Sequence, residues 1–247
     1  MAKSYLSVVI PAYNEAGNLK NGVLNEPLEY LRKQKYSWDL IFVDDGSTDD
    51  TYKLLAGLTD KHIRVLRIPH GGKAAAVTAG VLAAKGDYVL FTDFDQSTPI
   101  NQLDKFLEAH KSGADIVTGI RAKTEHDTLF RKIRSWVYVT LVQVVVLPGL
   151  KDSQCGFKSF THTASQKIFS NLLISLPTGE IKGPYMGAWE VEVFFLAKKY
   201  GYRIDQVPVR WIKYVSDRLN PWRDPLFMLR DTLKVRLYDI LGKYDQV

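Results

Sequence analysis

Cysteine is almost absent: Cys155 is the only one in 247 residues. An intramolecular disulfide is therefore impossible, a cysteine-rich zinc site is excluded, and a reducing compartment is expected. Long apolar runs are missing as well. The first ten residues hold too short an apolar stretch for a signal peptide. The most apolar later stretch, Trp136 to Leu147, stops at Pro148 and Gly149, short of the roughly 20 residues that span a bilayer. The expectation is a cytosolic protein that touches a membrane at most and does not cross it. A strong charge of one sign is also lacking. The net charge of +6 suits an anionic partner but is too small to choose among a phosphate ligand, an acidic lipid surface and nucleic acid. There is no repeat, low-complexity segment or flexible linker.

What is present is ordinary globular composition. Hydrophobic residues at 46% and charged residues at 24% rule out disorder, collagen and coiled coil, and the length suffices for a large core without staples. The first half alternates strand and helix signals. Strands are expected at Tyr5–Ile10, Asp39–Val43, Arg64–Ile68, Tyr88–Thr92 and Asp115–Ile120. Between them, helices are expected after Glu15 (leucines at 19, 24, 28 and 31, with Pro27 inside), at Lys73–Ala84 and at Asn101–Lys111. This alternation implies βαβ crossovers and a mostly parallel sheet covered on both faces. The second half offers an apolar helix around Leu129–Leu147, a short strand near Phe157–Phe160 and a loop at Pro177–Gly187. A helix at Glu190–Tyr200 and a strand at Arg203–Trp211 follow. In the last segment, apolar residues at 222, 226, 229, 233, 237 and 240 mark one face of a helix.

Ligands of an open parallel sheet bind beyond the carboxyl ends of its strands. Four successive strand ends carry polar turns: Pro11-Ala12-Tyr13-Asn14-Glu15, Asp44 to Asp49, His70-Gly71-Gly72-Lys73 and Asp93-Phe94-Asp95. If the strands are parallel, these groups share one rim. Asp93 and Asp95 are spaced to give one divalent cation two hard oxygen ligands, with Mg²⁺ or Mn²⁺ the matching ions; the plainer reading is an Asx turn. Asp44 and Asp45 are placed to accept hydrogen bonds from a base or ribose, while Ser47 or Asp49 caps the following helix. Glu15 either binds ligand hydroxyls or favours a helix N-terminus. Gly71, Gly72 and Lys73 open an alanine-rich helix and are able to hold a phosphate, although the Walker pattern is absent.

Taken together, these four motifs resemble family 2 glycosyltransferases of the GT-A fold over about the first 120 residues. Asp152-Ser153-Gln154-Cys155-Gly156-Phe157-Lys158, Trp189-Glu190-Val191-Glu192 and Val207 to Trp211 narrow the resemblance to the polyprenyl-phosphate branch, and within it to the dolichyl-phosphate β-glucosyltransferase pattern. The resemblance implies a Rossmann-like α/β sheet flanked by helices, with C-terminal amphipathic helices. A single domain, 1–247, is expected: a nucleotide-sugar half (1–120), an acceptor half (121–215) and a membrane-associated helix (216–247). It further implies a nucleotide-sugar donor, a divalent metal and inversion at the anomeric carbon. By position, Pro11, Tyr13, Glu15, Val43 and Asp45 would hold the nucleoside. Asp93 and Asp95 would bind metal and diphosphate, Arg121 would contact phosphate, and Gln154 to Lys158 would lie beside donor sugar and acceptor. This chain has Trp189-Glu190 where relatives usually have Phe-Asp, and Phe94 where many have alanine. Those glucosyltransferases usually carry an N-terminal membrane helix, which is not expected within these residues.

Chemistry sets the remaining expectations. The departing diphosphate needs charge neutralisation by a metal on Asp95 and Asp93 and by a cation such as Arg121. A hydroxyl acceptor needs a positioned carboxylate, whereas a polyprenyl phosphate is already an anion. Lys158, Arg131, Arg134 and Arg218 are candidates to orient that phosphate. Glu190 and Glu192 lie two apart on a helix and do not share a face; one of them orients the site. The basic, apolar helices 129–147 and 222–247 either lie in a membrane interface or pack on the core. The favoured reaction moves glucose from UDP-glucose to a polyprenyl phosphate at the cytosolic face of a membrane. The alternatives are a GDP-mannose-dependent mannosyltransferase, a soluble enzyme with a hydroxyl acceptor, and a non-catalytic nucleotide-sugar-binding module. No nucleic-acid partner is expected. The sequence leaves open whether an integral membrane protein recruits this chain.

Overall fold

The computed structural model describes residues 5–121, 140, 142–144, 146–176, 189–212 and 223–246. Seven strands form one sheet: β1 (Leu6–Ala12), β2 (Trp38–Asp45), β3 (Ile63–Ile68), β4 (Tyr88–Thr92), β5 (Ile116–Arg121), β6 (Phe157–Thr161) and β7 (Ile204–Val209). Their order is β3-β2-β1-β4-β6-β5-β7. All pairings are parallel except those of β6, which runs antiparallel to both β4 and β5. Every residue of β2 is buried, as a central parallel strand requires. Pro208 is accommodated because β7 is an edge strand.

Helices cover both faces. Leu24, Leu31, Leu55, Leu103 and Phe106 pack on one side, from α2 (Asn25–Arg32), α3 (Thr51–Ala56), α5 (Leu103–Lys111) and the turn before α2. The other face holds α4 (Gly72–Ala83), α6 (His162–Phe169), α7 (Trp189–Lys199) and one side of α8 (Arg223–Ile240). Small residues let α4 approach closely: a Cβ on Gly80 would lie 2.4 Å from Val9 Cγ1 and 2.9 Å from Val43 Cγ2.

Three expectations change. The helix after Glu15 is two helices, α1 (Ala16–Lys20) and α2, separated by a turn in which Gly22 has φ 74°. Pro27 falls in the first turn of α2, where a missing N–H costs no helical bond. Helix α6 was not expected; it starts at Thr161, whose side chain accepts the Ala164 N–H. Of the apolar 129–147 segment, Val142, Val146 and Leu147 pack in the core, and residues 129–139 lie outside the described residues, as does the 177–187 loop. No described helix is long and apolar enough to cross a membrane.

From β1 the chain steps outward through β2 to β3, then crosses back to place β4 on the other side of β1. That reversal opens a crevice at the carboxyl ends of β1 and β4. Because β6 is antiparallel, it brings its own beginning to the same end: Thr92 pairs with Phe157.

Candidate functional site

The turns after β1 and β2 are tied into one unit. Asn14, in a left-handed conformation at φ 54°, donates its N–H to Ser47 Oγ at 3.0 Å and accepts the Thr48 N–H at 2.9 Å. The Glu15 N–H donates to Thr51 Oγ1 at 2.7 Å, and Asp49 accepts the N–H groups of Ala16 at 3.1 Å and Thr51 at 2.9 Å. The Glu15 carboxylate is buried and accepts from Asn18.

Alternation along β2 sends Asp44 and Asp45 to opposite faces. Asp45 accepts the Gly71 N–H at 2.8 Å and contacts His70 Nδ1 at 2.9 Å, locking the end of β2 to the start of α4. Burial raises its pKa, opposed by Gly71 and His70. The His70 ring stacks on Tyr13 with centroids 4.3 Å apart. Asp44 is 0% exposed, and neither oxygen has a hydrogen-bond partner among the described residues. Its nearest cation is Arg67, with Nε 3.3 Å away and the guanidinium lying over the Tyr52 ring. Arg67 and Tyr52 were missed in the sequence, where isolated aromatic and basic residues carry no signal. One expectation is corrected here. Val43 is a core residue packed under α4, so its side chain cannot touch a nucleoside. The Asp45 carboxylate meets the His70-Gly71 turn, while that of Asp44 is fully enclosed beside Arg67. Pro11 pairs with Val43 in the sheet, half-buried.

Beyond β4, Asp93 and Asp95 are half-buried, while Phe94 turns into the core against Phe42 and is no pocket wall. Asp93 Oδ1 meets Lys73 Nζ at 2.6 Å. Its Oδ2 lies where a side chain on Gly156 would stand, 1.8 Å from an ideal Cβ. Asp95 Oδ1 accepts the Ser97 N–H at 2.9 Å, so the expected Asx turn exists; Oδ2 has no hydrogen-bond partner among the described residues. Gln96 between them is left-handed at φ 52°, a costly conformation of the kind that clusters at functional sites. No group of three or more His, Cys, Asp or Glu suited to a metal occurs among the described residues. Asp93 and Asp95 offer two carboxylates, a number that suits a cation completing its shell with substrate phosphate and water, as Mg²⁺ and Mn²⁺ do.

Charged groups from distant segments meet around this pair. Burial works against the Lys73 ammonium, but Asp93, Glu190 and Asp95 outweigh it and raise its pKa. Glu190, in the first turn of α7, is buried; burial raises its pKa, partly offset by Lys158 and Lys73. Lys158 is 0% exposed, donates to the Cys155 carbonyl, and lies within 5.8 Å of the Phe91, Trp189 and Phe194 ring centres. Burial lowers its pKa. That is a correction: a fully enclosed lysine cannot touch an acceptor. Arg121 is held by Asp152 through two bonds, 2.8 and 3.0 Å, and lies 5.5 Å from the Trp211 ring centre. Gln154 reaches Met228 Sδ at 3.7 Å, joining this loop to α8.

Glu192 is corrected as well. It is 0% exposed and accepts the N–H groups of Leu173, Ile174 and Ser175 and the hydroxyls of Ser175 and Tyr244. It fastens a loop and the C-terminus to α7. Arg131, Arg134 and Arg218 lie outside the described residues.

A mostly parallel sheet with an acidic turn at its switch point and tied turns on either side defines the GT-A class of glycosyltransferase folds. Residues 7–169 match the pattern described as Glycosyl transferase family 2, and the chain belongs to that family. It is 31% identical over 258 residues to a dolichyl-phosphate beta-glucosyltransferase of Dictyostelium discoideum, covering 96% of this chain and 76% of the relative. A Drosophila melanogaster protein of the same name is 32% identical over 260 residues, covering 97% and 76%. Among solved structures, glucosyl-3-phosphoglycerate synthase from Mycobacterium tuberculosis with Mn²⁺, UDP-glucose and phosphoglyceric acid is similar in fold. Its TM-score is 0.60 at 19% identity, covering 97% of this chain and 80% of that one.

Proposed function

We propose that this chain transfers glucose from UDP-glucose to a polyprenyl phosphate of the dolichyl class, with inversion, at the cytosolic face of a membrane. The names of its relatives support the donor sugar and the acceptor. The observation that carries the reading is the meeting of Asp93, Asp95, Lys73 and Glu190 at the sheet's switch point. The free thiol of Cys155 suits a reducing compartment.

Bound at Asp95 and Asp93, Mg²⁺ or Mn²⁺ supplies positive charge to the diphosphate leaving group. Lys73 and Arg121 add fixed charge from either side of the same corner, oriented by Asp93 and Asp152. Asp45 remains the acid expected to meet the base, whereas the Asp44 carboxylate is fully enclosed and pairs with Arg67. Arg67 beside it suits a base carbonyl. The acceptor phosphate attacks as an anion, so no base is required. Glu190, held between Lys158 and Lys73, orients the sugar and the lysine ammonium.

One observation favours a second reading. The raised pKa of Glu190 suits a general base, which a hydroxyl acceptor demands. A transfer assay pairing UDP-glucose, GDP-mannose and other donors with a short polyprenyl phosphate and with sugar hydroxyls, with and without Mn²⁺ or Mg²⁺, decides. The expected result is metal-dependent glucosyl transfer to the phosphate. Transfer to hydroxyls only, transfer from GDP-mannose only, or donor binding without turnover overturns it.

A further inference from the structure

Helix α8 exposes more apolar surface than a helix packed on a globular domain should. Toward the protein it buries Asp231, Thr232 and Val235, with Met228 and Tyr238 packed partly buried against the core. Toward solvent it presents Leu226, Leu233, Leu237 and Ile240, exposed by 66, 49, 51 and 69%, followed by Leu241 at 57%. With about 100° per residue, the first four and Leu229 fall within an arc of about 80°. That spacing was read in the sequence as a face; the structure turns the face outward. Its flanks are basic. Arg236 borders one side and Arg230 and Lys234 the other, all three exposed. The acids Asp231 and Asp239 point inward, paired with Arg230 and with Lys199 and Arg236. No carboxylate lies on the outward face between residues 226 and 241.

A solvated helix keeps its polar side outward. An apolar stripe bordered by cations on both sides matches the boundary between acyl chains and anionic headgroups. The helix is firmly attached: Lys199 pairs with Asp239 at 2.9 Å and with Asp245 at 2.7 Å, and Tyr244 bonds to Glu192. Its Met228 touches Gln154, two residues from the Asp152 that holds Arg121. A surface lying along α8 is thus joined to the corner where charge gathers.

We infer that α8 is a docking surface for an anionic lipid bilayer, and that it seats the strand-end crevice beside the headgroups from which a lipid phosphate enters; the second part rests on the proposed acceptor. The complete chain, floated with phosphatidylcholine vesicles with and without phosphatidylserine, is expected to bind the anionic vesicles. Leu233→Glu with Leu237→Glu is expected to reduce the bound fraction by about tenfold or more, with the melting temperature kept because both positions are exposed. Lys234→Glu with Arg236→Glu should remove the preference for phosphatidylserine. The leucine variant should lose turnover of an acceptor embedded in vesicles yet stay within about twofold of wild type on a water-soluble short-chain polyprenyl phosphate. Failure of the wild type to float, or unchanged flotation of the leucine variant, overturns the inference. So does a wild-type dimer that the leucine variant converts to monomer without change in flotation, since the stripe would then seat a second copy. Flotation lost in the variant, with no turnover of the soluble acceptor by wild type, supports docking and sinks the acceptor reading alone.

Discussion

Asp93 is held from two sides, by Lys73 at one oxygen and by the bare backbone of Gly156 at the other. A methyl group at 156 has no room beside that carboxylate. Gly156→Ala is therefore expected to rotate Asp93 away from the corner, lowering kcat about tenfold or more while costing about 1–3 kcal/mol of stability; steady-state rates and thermal melts check it. Glu190 has the opposite character, a carboxylate whose burial opposes its own charge. Its folded pKa lies above the ordinary 4.5. The folded state thus holds the proton more tightly than the unfolded chain. Its favourable contribution is complete below 4.5 and is lost as pH rises through the folded value. Glu190→Gln should gain melting temperature on wild type as pH rises through this window, while activity falls. A difference in melting temperature independent of pH contradicts this. Sequence pattern revealed these acids because they follow strands. It did not show that Asp45 meets the turn before α4, since that depends on the direction of the pleat.

At the scale of elements, Glu192 shows how one helix serves two ends. Its position two residues after Glu190 points it away from the crevice and into three N–H groups and two hydroxyls. Glu192→Gln puts an amide N–H₂ among donors, so a loss of about 2–4 kcal/mol is expected. The fraction that remains folded should keep kcat within about twofold. A fall in kcat with unchanged unfolding would instead place Glu192 in the chemistry. All seven strands were legible, because the buried central strands β1, β2 and β4 read as apolar runs and the others as short β-branched or aromatic runs bounded by turns. The antiparallel direction of β6 was not, since five residues state no direction. Lys158 was misjudged for that reason: a lysine just after a polar, glycine-bearing loop reads as exposed until the neighbouring strands enclose it. Helix α8 was visible by its period, but period alone does not say which side faces the core.

For the whole molecule, the claim is that one sheet gathers acids and bases from β1, β2, β4, β5, β6, α4 and α7 at its switch point, where donor and cation are held together. The most direct measurement is calorimetric titration of UDP-glucose with and without Mn²⁺, in wild type and in Asp95→Asn. The account predicts that Mn²⁺ tightens wild-type binding by about tenfold or more and that Asp95→Asn abolishes the gain, with kcat down about 10²–10³-fold. Binding of equal strength with and without Mn²⁺ in wild type, or a gain that survives in Asp95→Asn, would contradict it.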